Sequence, residues 1–186
     1  FNFSQYAGVD SAASDQPAGD VAPAPPPLPQ PVGGPPHARQ CVLVFGVDDS
    51  LLAAPVAKRC GGTLVDIAGL MVFAESRPSE EGEAFLAMQR SGKLAAFSAA
   101  CAVLLQMFAA YPSPYILSGF PRMRAQLMEL QERVGKPGLA VQVGEELPGA
   151  CRHTPAFCEA MGVPVHVSRS VDGAAVEAVL EAMNIA

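Results

Sequence analysis

The sequence predicts an α/β fold: a five-stranded parallel sheet flanked by helices and preceded by an extended proline-rich arm. Short apolar runs alternate with helical patterns through residues 41–186, as is typical of parallel strands buried on both faces. Nine of the 18 prolines lie in residues 1–40, and proline opposes both regular helix and central strand. We therefore expect two regions, an extended arm at 1–40 and one folded domain at 41–186.

The composition excludes several classes of protein. Among 186 residues, Asp and Glu number 18 and Lys and Arg 12, so the formal net charge is −6. Nucleic-acid binders usually carry a basic excess, and we expect no nucleic-acid partner. Apolar residues make up 50% of the chain, which is too many for a disordered protein. They never form the run of about 20 that a membrane-spanning helix needs, and we expect no membrane span.

The cysteines and histidines indicate neither a disulfide framework nor a metal site. The cysteine count is odd, and no two cysteines are spaced as CxxC. The three histidines are far apart and have no acidic cluster beside them. We expect buried, free thiols in a reducing compartment, no metal and no cofactor. The cysteines are Cys41, Cys60, Cys101, Cys151 and Cys158.

The arm is extended by composition. Residues 22–31 read Ala-Pro-Ala-Pro-Pro-Pro-Leu-Pro-Gln-Pro and predict polyproline II. Two interpretations stay open: a semi-rigid linker, or a strap that lies along a partner surface. In the second, the candidate partner-binding residues are Phe1, Phe3, Tyr6 and Leu28, because apolar side chains anchor extended segments in pockets.

Hydrophobic periodicity predicts five strands and seven helices in the folded domain. Apolar runs predict strands at 41–45, 63–65, 115–117, 139–143 and 163–167. Helical patterns cover 50–59, 67–74, 80–91, 95–110, 123–134, 155–161 and 173–183. Ser79 is a candidate N-cap for the helix at 80–91.

One segment carries a resemblance to a known family. After the predicted strand at 115–117, the chain reads Ser118-Gly119-Phe120-Pro121-Arg122, and Gln126 follows four residues later. This pattern resembles the central strand and turn of adenylate kinases, where Asp-Gly-Phe/Tyr-Pro-Arg is followed by Gln at the same spacing. The segments at 59–64, 91–94, 134–137 and 161–165 also resemble the family in the same order. The resemblance covers residues 41–186 and implies a P-loop-NTPase-like fold, an adenylate kinase core without its lid.

The departures from the family pattern bear on function. A phosphate-binding loop needs G-x-x-x-x-G-K-[ST], because backbone N–H groups and the lysine surround the phosphates. Here the loop reads Gly46-Val47-Asp48-Asp49-Ser50-Leu51-Leu52-Ala53, so Leu51 replaces the second glycine and Leu52 the lysine. Two carboxylates also stand where phosphate would approach. We expect this degenerate P-loop not to bind ATP, and Asp48, Asp49 and Ser50 to be helix N-cap residues.

Other positions of the family pattern are altered as well. By the resemblance, Ile67 and Val72 stand where Thr and Arg would contact AMP, and Ser118 stands where an Asp would organise magnesium. Ala95-Ala96 replaces a Val-Pro pair, and the lid is missing. Arg152 is the only Lys or Arg in the short segment that replaces the lid. Because phosphoryl transfer depends on positioning and positive charge, we expect no catalytic residues.

The leading hypothesis is a catalytically inactive adenylate-kinase-like protein that serves as a structural or accessory subunit of a larger protein assembly. The alternative is a sensor that binds AMP or a related nucleotide through Arg122 and Gln126, which match the family's AMP contacts. Arg122 and Gln126 are otherwise read as solvated helix residues. A working kinase of unusual design is a third reading, and the loop at 46–53 opposes it.

The first residue is Phe1 rather than Met, which fits either a fragment or a protein whose leader has been removed. Adenylate-kinase-like modules occur in plastids, in mitochondria and in ciliary axonemes. We expect an intracellular protein of a plastid or a mitochondrion, with the axoneme as the alternative.

Overall fold

The computed structural model describes residues 40–91, 97–149 and 151–185. The strands are β1 (Cys41–Gly46), β2 (Thr63–Val65), β3 (Tyr115–Ser118), β4 (Leu139–Val143) and β5 (Val165–Ser168). The helices are α1 (Asp49–Cys60), α2 (Ile67–Ser76), α3 (Glu80–Ser91), α4 (Phe97–Ala110), α5 (Arg124–Arg133), α6 (Thr154–Ala160) and α7 (Gly173–Ile185). The arm predicted at 1–40 lies outside the described residues, apart from Gln40.

All five strands are parallel and form one sheet in the order β2-β3-β1-β4-β5. Strand β1 is central, and its Leu43 pairs with Leu117 of β3 and with Ala140 of β4. Parallel neighbours require a crossover, and every connection between consecutive strands contains at least one helix. The predicted α/β class with a five-stranded parallel sheet is confirmed, and the arrangement is consistent with a P-loop-like core.

A hydrophobic core covers each face of the sheet. Along β1, Cys41, Leu43 and Phe45 pack on one face, while Val42 and Val44 pack on the other. The first core also contains residues of α2 to α6, and the second contains residues of α1 and α7. None of these five side chains in β1 is more than 4% exposed. Burial on both faces explains why the strand is a continuous apolar run rather than an alternating one.

Gly46 allows two central strands to approach each other closely where β1 ends. Its φ is +138°, and a Cβ at this position would collide with the carbonyl oxygen of Val143 in β4. Only glycine fits such a contact and such a φ. The turn that follows β1 therefore lies beside the end of β4, at the carboxyl edge of the sheet. Ligands of open α/β sheets bind at this edge.

Most predicted boundaries differ from the observed ones by one or two residues, and the physical reason is visible for two elements. Helix α5 begins at Arg124 because Met123, predicted to be its first residue, has extended backbone angles and is the N-cap. Strand β5 spans Val165–Ser168 rather than 163–167. The N–H of Val163 bonds to the carbonyl of Cys158 and so follows α6 instead of joining the sheet. Residues 95 and 96, predicted to begin the fourth helix, lie outside the described residues, and α4 is described from Phe97.

The prediction of buried, free thiols is confirmed for four cysteines and wrong for the fifth. All five thiols are free, and Cys41, Cys101, Cys151 and Cys158 are buried. Burial raises the pKa of Cys101 to about 12 and that of Cys158 to about 11, so both stay protonated at neutral pH. Cys60 is the exception, because it is the last residue of α1 and is only partly buried.

Side-chain caps begin helices α2, α3 and α7. Asp66 Oδ1 accepts the N–H of Gly69 at 2.6 Å in the first turn of α2. Ser79 Oγ accepts the N–H of Gly82 at 3.0 Å, which confirms Ser79 as the cap of α3. Asp172 Oδ1 accepts the N–H of Ala175 at 2.9 Å in the first turn of α7. This hydrogen bond is the main reason why the pKa of Asp172 lies below the ordinary aspartate value of 3.8.

None of the helices in the described part of the chain has the length and apolar character needed to cross a bilayer.

Replacing Asp172 with Ala should reduce stability at neutral pH and have little effect in acid. The pKa of Asp172 is lower in the folded than in the unfolded chain, so its carboxylate stabilises the fold fully above pH 3.8. That contribution disappears as the pH falls through the lower, folded value. Urea denaturation of wild type and Asp172→Ala should give free energies of unfolding that differ at about pH 7 and converge towards about pH 2.5. A difference that does not change with pH would exclude a role for the charge.

Candidate functional site

The turn between β1 and α1 lies at the carboxyl edge, where the sequence predicts a degenerate phosphate-binding loop. Asp48 has the left-handed conformation, with φ +57° and ψ +29°, which Asp tolerates better than most residues. The Asp48 carbonyl accepts the N–H of Leu51 at 2.9 Å and so closes the turn. Ser50 lies exposed in the first turn of α1. The turn is thus held in one conformation by the chain's own backbone.

The Asp49 carboxylate joins this turn to the neighbouring strand. Its Oδ2 accepts the backbone N–H of Gly119, which directly follows β3, at 2.7 Å. Asp48 is the N-cap residue of α1, as predicted, although its side chain makes no capping hydrogen bond. The predicted N-cap role is wrong for Asp49 and Ser50, since α1 begins at Asp49, whose carboxylate bonds to the next strand connection. The negative charge nevertheless stands at the positive end of α1, where it is electrostatically favoured.

The positions of the second glycine and the lysine in a phosphate-binding loop hold apolar residues with opposite environments. Leu51 is 56% exposed, and Val47 in the preceding turn is 51% exposed. Leu52 is fully buried in the core between the sheet and α1, as is Ala53. A side chain at position 52 therefore points into the core and not towards a ligand at the edge. That this turn is a degenerate phosphate-binding loop stays a prediction.

Arg122 and Gln126 close the turn between β3 and α5. Arg122 Nε donates to the carbonyl of Gly119 at 2.6 Å, and its guanidinium lies over that glycine. Gln126 Oε1 accepts the backbone N–H groups of Arg122 at 2.8 Å and of Met123 at 3.3 Å. Gln126 therefore satisfies backbone donors at the start of α5. The interpretation as solvated helix residues is wrong for Arg122 in one respect, because Arg122 is exposed but precedes α5. Gln126 is a helix residue, as interpreted, and its side chain also holds the turn.

The connection from β4 to α6, where the sequence predicts a missing lid, packs against the same turn. Thr154 Oγ1 donates to the carbonyl of Arg122 at 3.2 Å, and Thr154 is 3% exposed. Cys151 is also 3% exposed, and burial raises its pKa, while nearby Arg122 lowers it and nearby Asp49 raises it. Arg152 is exposed. Residue 150 is outside the described residues, and the N–H of Cys151 bonds to the carbonyl of Pro148 at 2.8 Å.

These contacts form a continuous chain of hydrogen bonds, which we call the carboxyl-edge network. It comprises Asp49, Gly119, Arg122, Gln126 and Thr154. The network links the connections that follow β1, β3 and β4, which are the three central strands of the sheet. Chemically, it consists of one carboxylate, one guanidinium, one amide and one hydroxyl that bond to the backbone.

Apolar residues stand at the two positions where, by the resemblance, Thr and Arg would contact AMP. Ile67 packs partly buried against the core, and Val72 on α2 is 66% exposed. Ser118, at the end of β3, is 4% exposed. Ala95 and Ala96 lie outside the described residues, as do the proposed arm anchors Phe1, Phe3, Tyr6 and Leu28. Within the ranges that the structure describes, no group of three or more His, Cys, Asp or Glu side chains is placed to hold a metal.

Sequence reasoning found four members of the carboxyl-edge network but missed Thr154 and the adjacent Cys151. It also predicts that Asp49 caps its own helix, whereas the Asp49 carboxylate bonds to the N–H of Gly119. The Asp49–Gly119 bond spans 70 positions of sequence, and such a distant partner leaves no local pattern. The position of Thr154 depends on how α6 packs after β4, which periodicity does not specify.

Comparison with known proteins identifies no relative. No protein-family model matches the chain, and no curated protein matches it. The likeness to adenylate kinases therefore rests on the sequence motifs alone and stays a prediction, whereas the α/β fold is seen directly in the structure.

Removing the Asp49 carboxylate should destabilise the protein. In Asp49→Ala, the partly buried N–H of Gly119 loses its acceptor, and we expect a loss of about 1–3 kcal/mol in the free energy of unfolding. Asp48→Gly is the matched control, because it removes the adjacent carboxylate at a left-handed position that glycine adopts readily. We expect the control to change stability by less than about 1 kcal/mol. Equal losses in both variants, measured by urea denaturation, would contradict the role given to Asp49.

Proposed function

We propose that this chain is a catalytically inactive, adenylate-kinase-like protein that serves as a structural or accessory subunit of a larger protein assembly. The observation that carries the proposal is the carboxyl-edge network. A nucleotide-binding edge keeps backbone N–H groups and cations available for phosphates. Here the N–H of Gly119 is bonded to the chain's own carboxylate, Asp49, at the start of α1.

Three arginines near this edge also have partners within the chain. Arg122 Nε is bonded to the Gly119 carbonyl, and the Arg124 guanidinium lies 5.1 Å from the centre of the Phe157 ring. Arg169 forms an exposed ion pair with Glu145 at 2.8 Å. Phosphoryl transfer requires cations that converge on the transferred group. The placement of these three arginines supports an inactive protein.

The same contacts favour the subunit over the nucleotide sensor. A sensor would use Arg122 and Gln126 to contact a phosphate and a base. Gln126 Oε1 instead holds two backbone N–H groups, and Thr154 packs against the Arg122 carbonyl from the connection that replaces the lid. Opening a site here would break these hydrogen bonds, of which the one from Thr154 is partly buried. Leaving a buried group without a partner costs about 1–3 kcal/mol.

The well-packed core supports a role in which the protein acts as a rigid structural unit. Both faces of the sheet carry well-buried cores, and the central strand has no side chain more than 4% exposed among its first five residues. In the proposed subunit, the folded domain is a rigid block and the proline-rich arm is the segment that reaches neighbouring proteins. The assembly would be that of a plastid or a mitochondrion, or else a ciliary axoneme.

The aromatic residues of the arm provide the test. In the full chain, Phe1→Ala/Phe3→Ala/Tyr6→Ala should release the protein from its assembly, with affinity reduced at least tenfold, roughly the effect of losing one or two anchor side chains. The matched control is Asn2→Ala/Ser4→Ala/Gln5→Ala, which changes the alternate positions of the same segment. Each tagged chain is expressed in cells of the organism from which the protein comes. The measurement is whether the chain co-elutes with high-mass species from the extract.

We expect the wild type and the control to elute with the assembly and the aromatic variant to elute alone. Two results would overturn the proposal. One is a wild-type chain that elutes alone in its native extract. The other is phosphoryl transfer between ATP and AMP by the purified full chain.

A further inference from the structure

Three exposed apolar side chains lie on the turns that the carboxyl-edge network joins. Val47 and Leu51 lie on either side of Asp49, where α1 begins. Met123 directly follows Arg122, where α5 begins, and is 38% exposed. Seven large apolar side chains are exposed in the part of the chain that the structure describes, and these two turns hold three of them. Exposed apolar surface that is concentrated in this way is typical of a protein–protein contact.

Hydrogen bonds hold the backbone that carries these side chains. The bond from the Gly119 N–H to Asp49 joins the two turns. Gln126 Oε1 accepts the N–H of Met123 at 3.3 Å and so holds the second turn. A partner that packs on ordered backbone has little chain to immobilise, which lowers the entropic cost of binding.

Three exposed arginines lie beside the apolar side chains. Arg122 and Arg124 are the neighbours of Met123 in sequence, and Arg152 lies in the β4–α6 connection. Thr154, two residues after Arg152, donates to the Arg122 carbonyl. The Arg124 guanidinium lies over an aromatic ring of α6. The three arginines therefore lie together, where α5 and α6 begin.

The carboxylates near this edge lie on other elements or further along the helices. Asp48 and Asp49 stand where α1 begins. Glu145 is paired with Arg169, which directly follows β5, and Glu146 is next to Glu145. The acids of α5 and α6 lie beyond the first turn of each helix, and they are Glu129, Glu132 and Glu159. Positive charge is thus concentrated where α5 and α6 begin, although the chain as a whole carries a net charge of −6.

We propose that this surface docks a partner protein through a short segment that carries both apolar residues and Asp or Glu. The carboxyl-edge surface comprises Val47, Leu51, Arg122, Met123, Arg124 and Arg152. Apolar residues of the segment pack on the apolar side chains, and its carboxylates bond to the arginines, as in other acidic motifs that arginine clusters recognise. The inference rests on the proposed function, since it requires a partner in an assembly.

The charge also argues for a different protein rather than a second copy of this chain. A two-fold contact between copies places the same patch on both sides of the interface. It would bring the arginines of both copies together, and like charges across an interface oppose association. An acidic segment complements the same arginines.

Selection of peptides by the full chain tests this inference. Random peptides displayed on phage are selected on the immobilised full chain, and the selected peptides are synthesised with a fluorescent label for affinity measurement by anisotropy. We expect Asp and Glu next to large apolar residues to be enriched among them. Their affinity should fall when the salt concentration rises from about 50 to about 500 mM, because salt screens charge pairs at a surface.

Leu51→Ser tests the apolar part of the surface. It should weaken binding of the selected peptides by about fivefold or more, the effect of losing one anchor side chain. The matched control is Val72→Ser, which changes another exposed apolar residue of a helix and should leave the affinity within about twofold.

Arg124→Glu tests the charged part of the surface. It should weaken peptide binding about tenfold, because an attractive charge becomes a repulsive one. Arg77→Glu is the matched control, since Arg77 is also exposed and its guanidinium lies 5.2 Å from the centre of an aromatic ring, against 5.1 Å for Arg124. We expect the affinity of Arg77→Glu to match that of the wild type.

Three results would overturn the inference. One is a selection that yields no binding peptide. Another is a set of peptides that bind Leu51→Ser and Arg124→Glu as tightly as they bind the two controls. The third is a wild-type chain that dimerises in analytical ultracentrifugation while Leu51→Ser stays monomeric, because the occupant would then be a second copy.

Failure of this inference can be distinguished from failure of the proposed function. If the wild-type chain elutes with its assembly but selects no peptide, the inference fails and the proposed function stands. If the wild-type chain elutes alone in its native extract, the proposed function fails whatever peptides are selected.

Discussion

The hydrogen bond from the Gly119 N–H to the Asp49 carboxylate is the interaction on which the carboxyl edge depends. It places a negative charge at the start of α1 and ties the turn after β1 to the turn after β3. The Gly119 carbonyl then receives Arg122 Nε, and the Arg122 carbonyl receives the Thr154 hydroxyl. Each turn holds the next one in place. The three central strands therefore end in connections that are linked to one another.

This edge explains why a fold consistent with a P-loop-like core does not imply the chemistry of one. Parallel α/β sheets offer helix starts and backbone N–H groups at their carboxyl ends, and phosphates exploit both. In this chain Asp49 stands at the start of α1, and Leu52 points into the core at the position where a lysine would reach a phosphate. The Gly119 N–H and the Arg122 Nε, at the edge where phosphates bind in such folds, bond within the chain instead.

Much of the fold could be predicted because its signals are local. Short runs of apolar residues are typical of strands that are buried on both faces. Such runs at 41–45, 115–117 and 139–143 predict the three central strands. Element boundaries are harder to predict where they depend on the backbone conformation of a single residue. Apolar spacing places Met123 in α5, but Met123 is the extended N-cap. The apolar run places Val163 in β5, but Val163 follows α6.

The candidate site was harder to predict because its contacts are not local. Asp49 is a good N-cap residue by type, and only the adjacency of β1 and β3 brings it to Gly119. A groove lined by residues such as Val42, Cys60, Leu139 and Met183 left no sequence signal, since these residues are distant in sequence. The residue types at 46–53 predict an altered phosphate-binding loop. Only the structure shows that the Asp49 carboxylate bonds to the N–H of Gly119.

The most direct test of this account is calorimetric titration of the full chain with AMP, with Arg122→Ala as the control variant. The account predicts no saturable heat at AMP concentrations up to about 1 mM, a limit that corresponds to a binding free energy of roughly 4 kcal/mol. Saturable binding by the wild type that disappears in Arg122→Ala would contradict it. That result would mean that the carboxyl edge opens to a nucleotide and that the chain is a sensor.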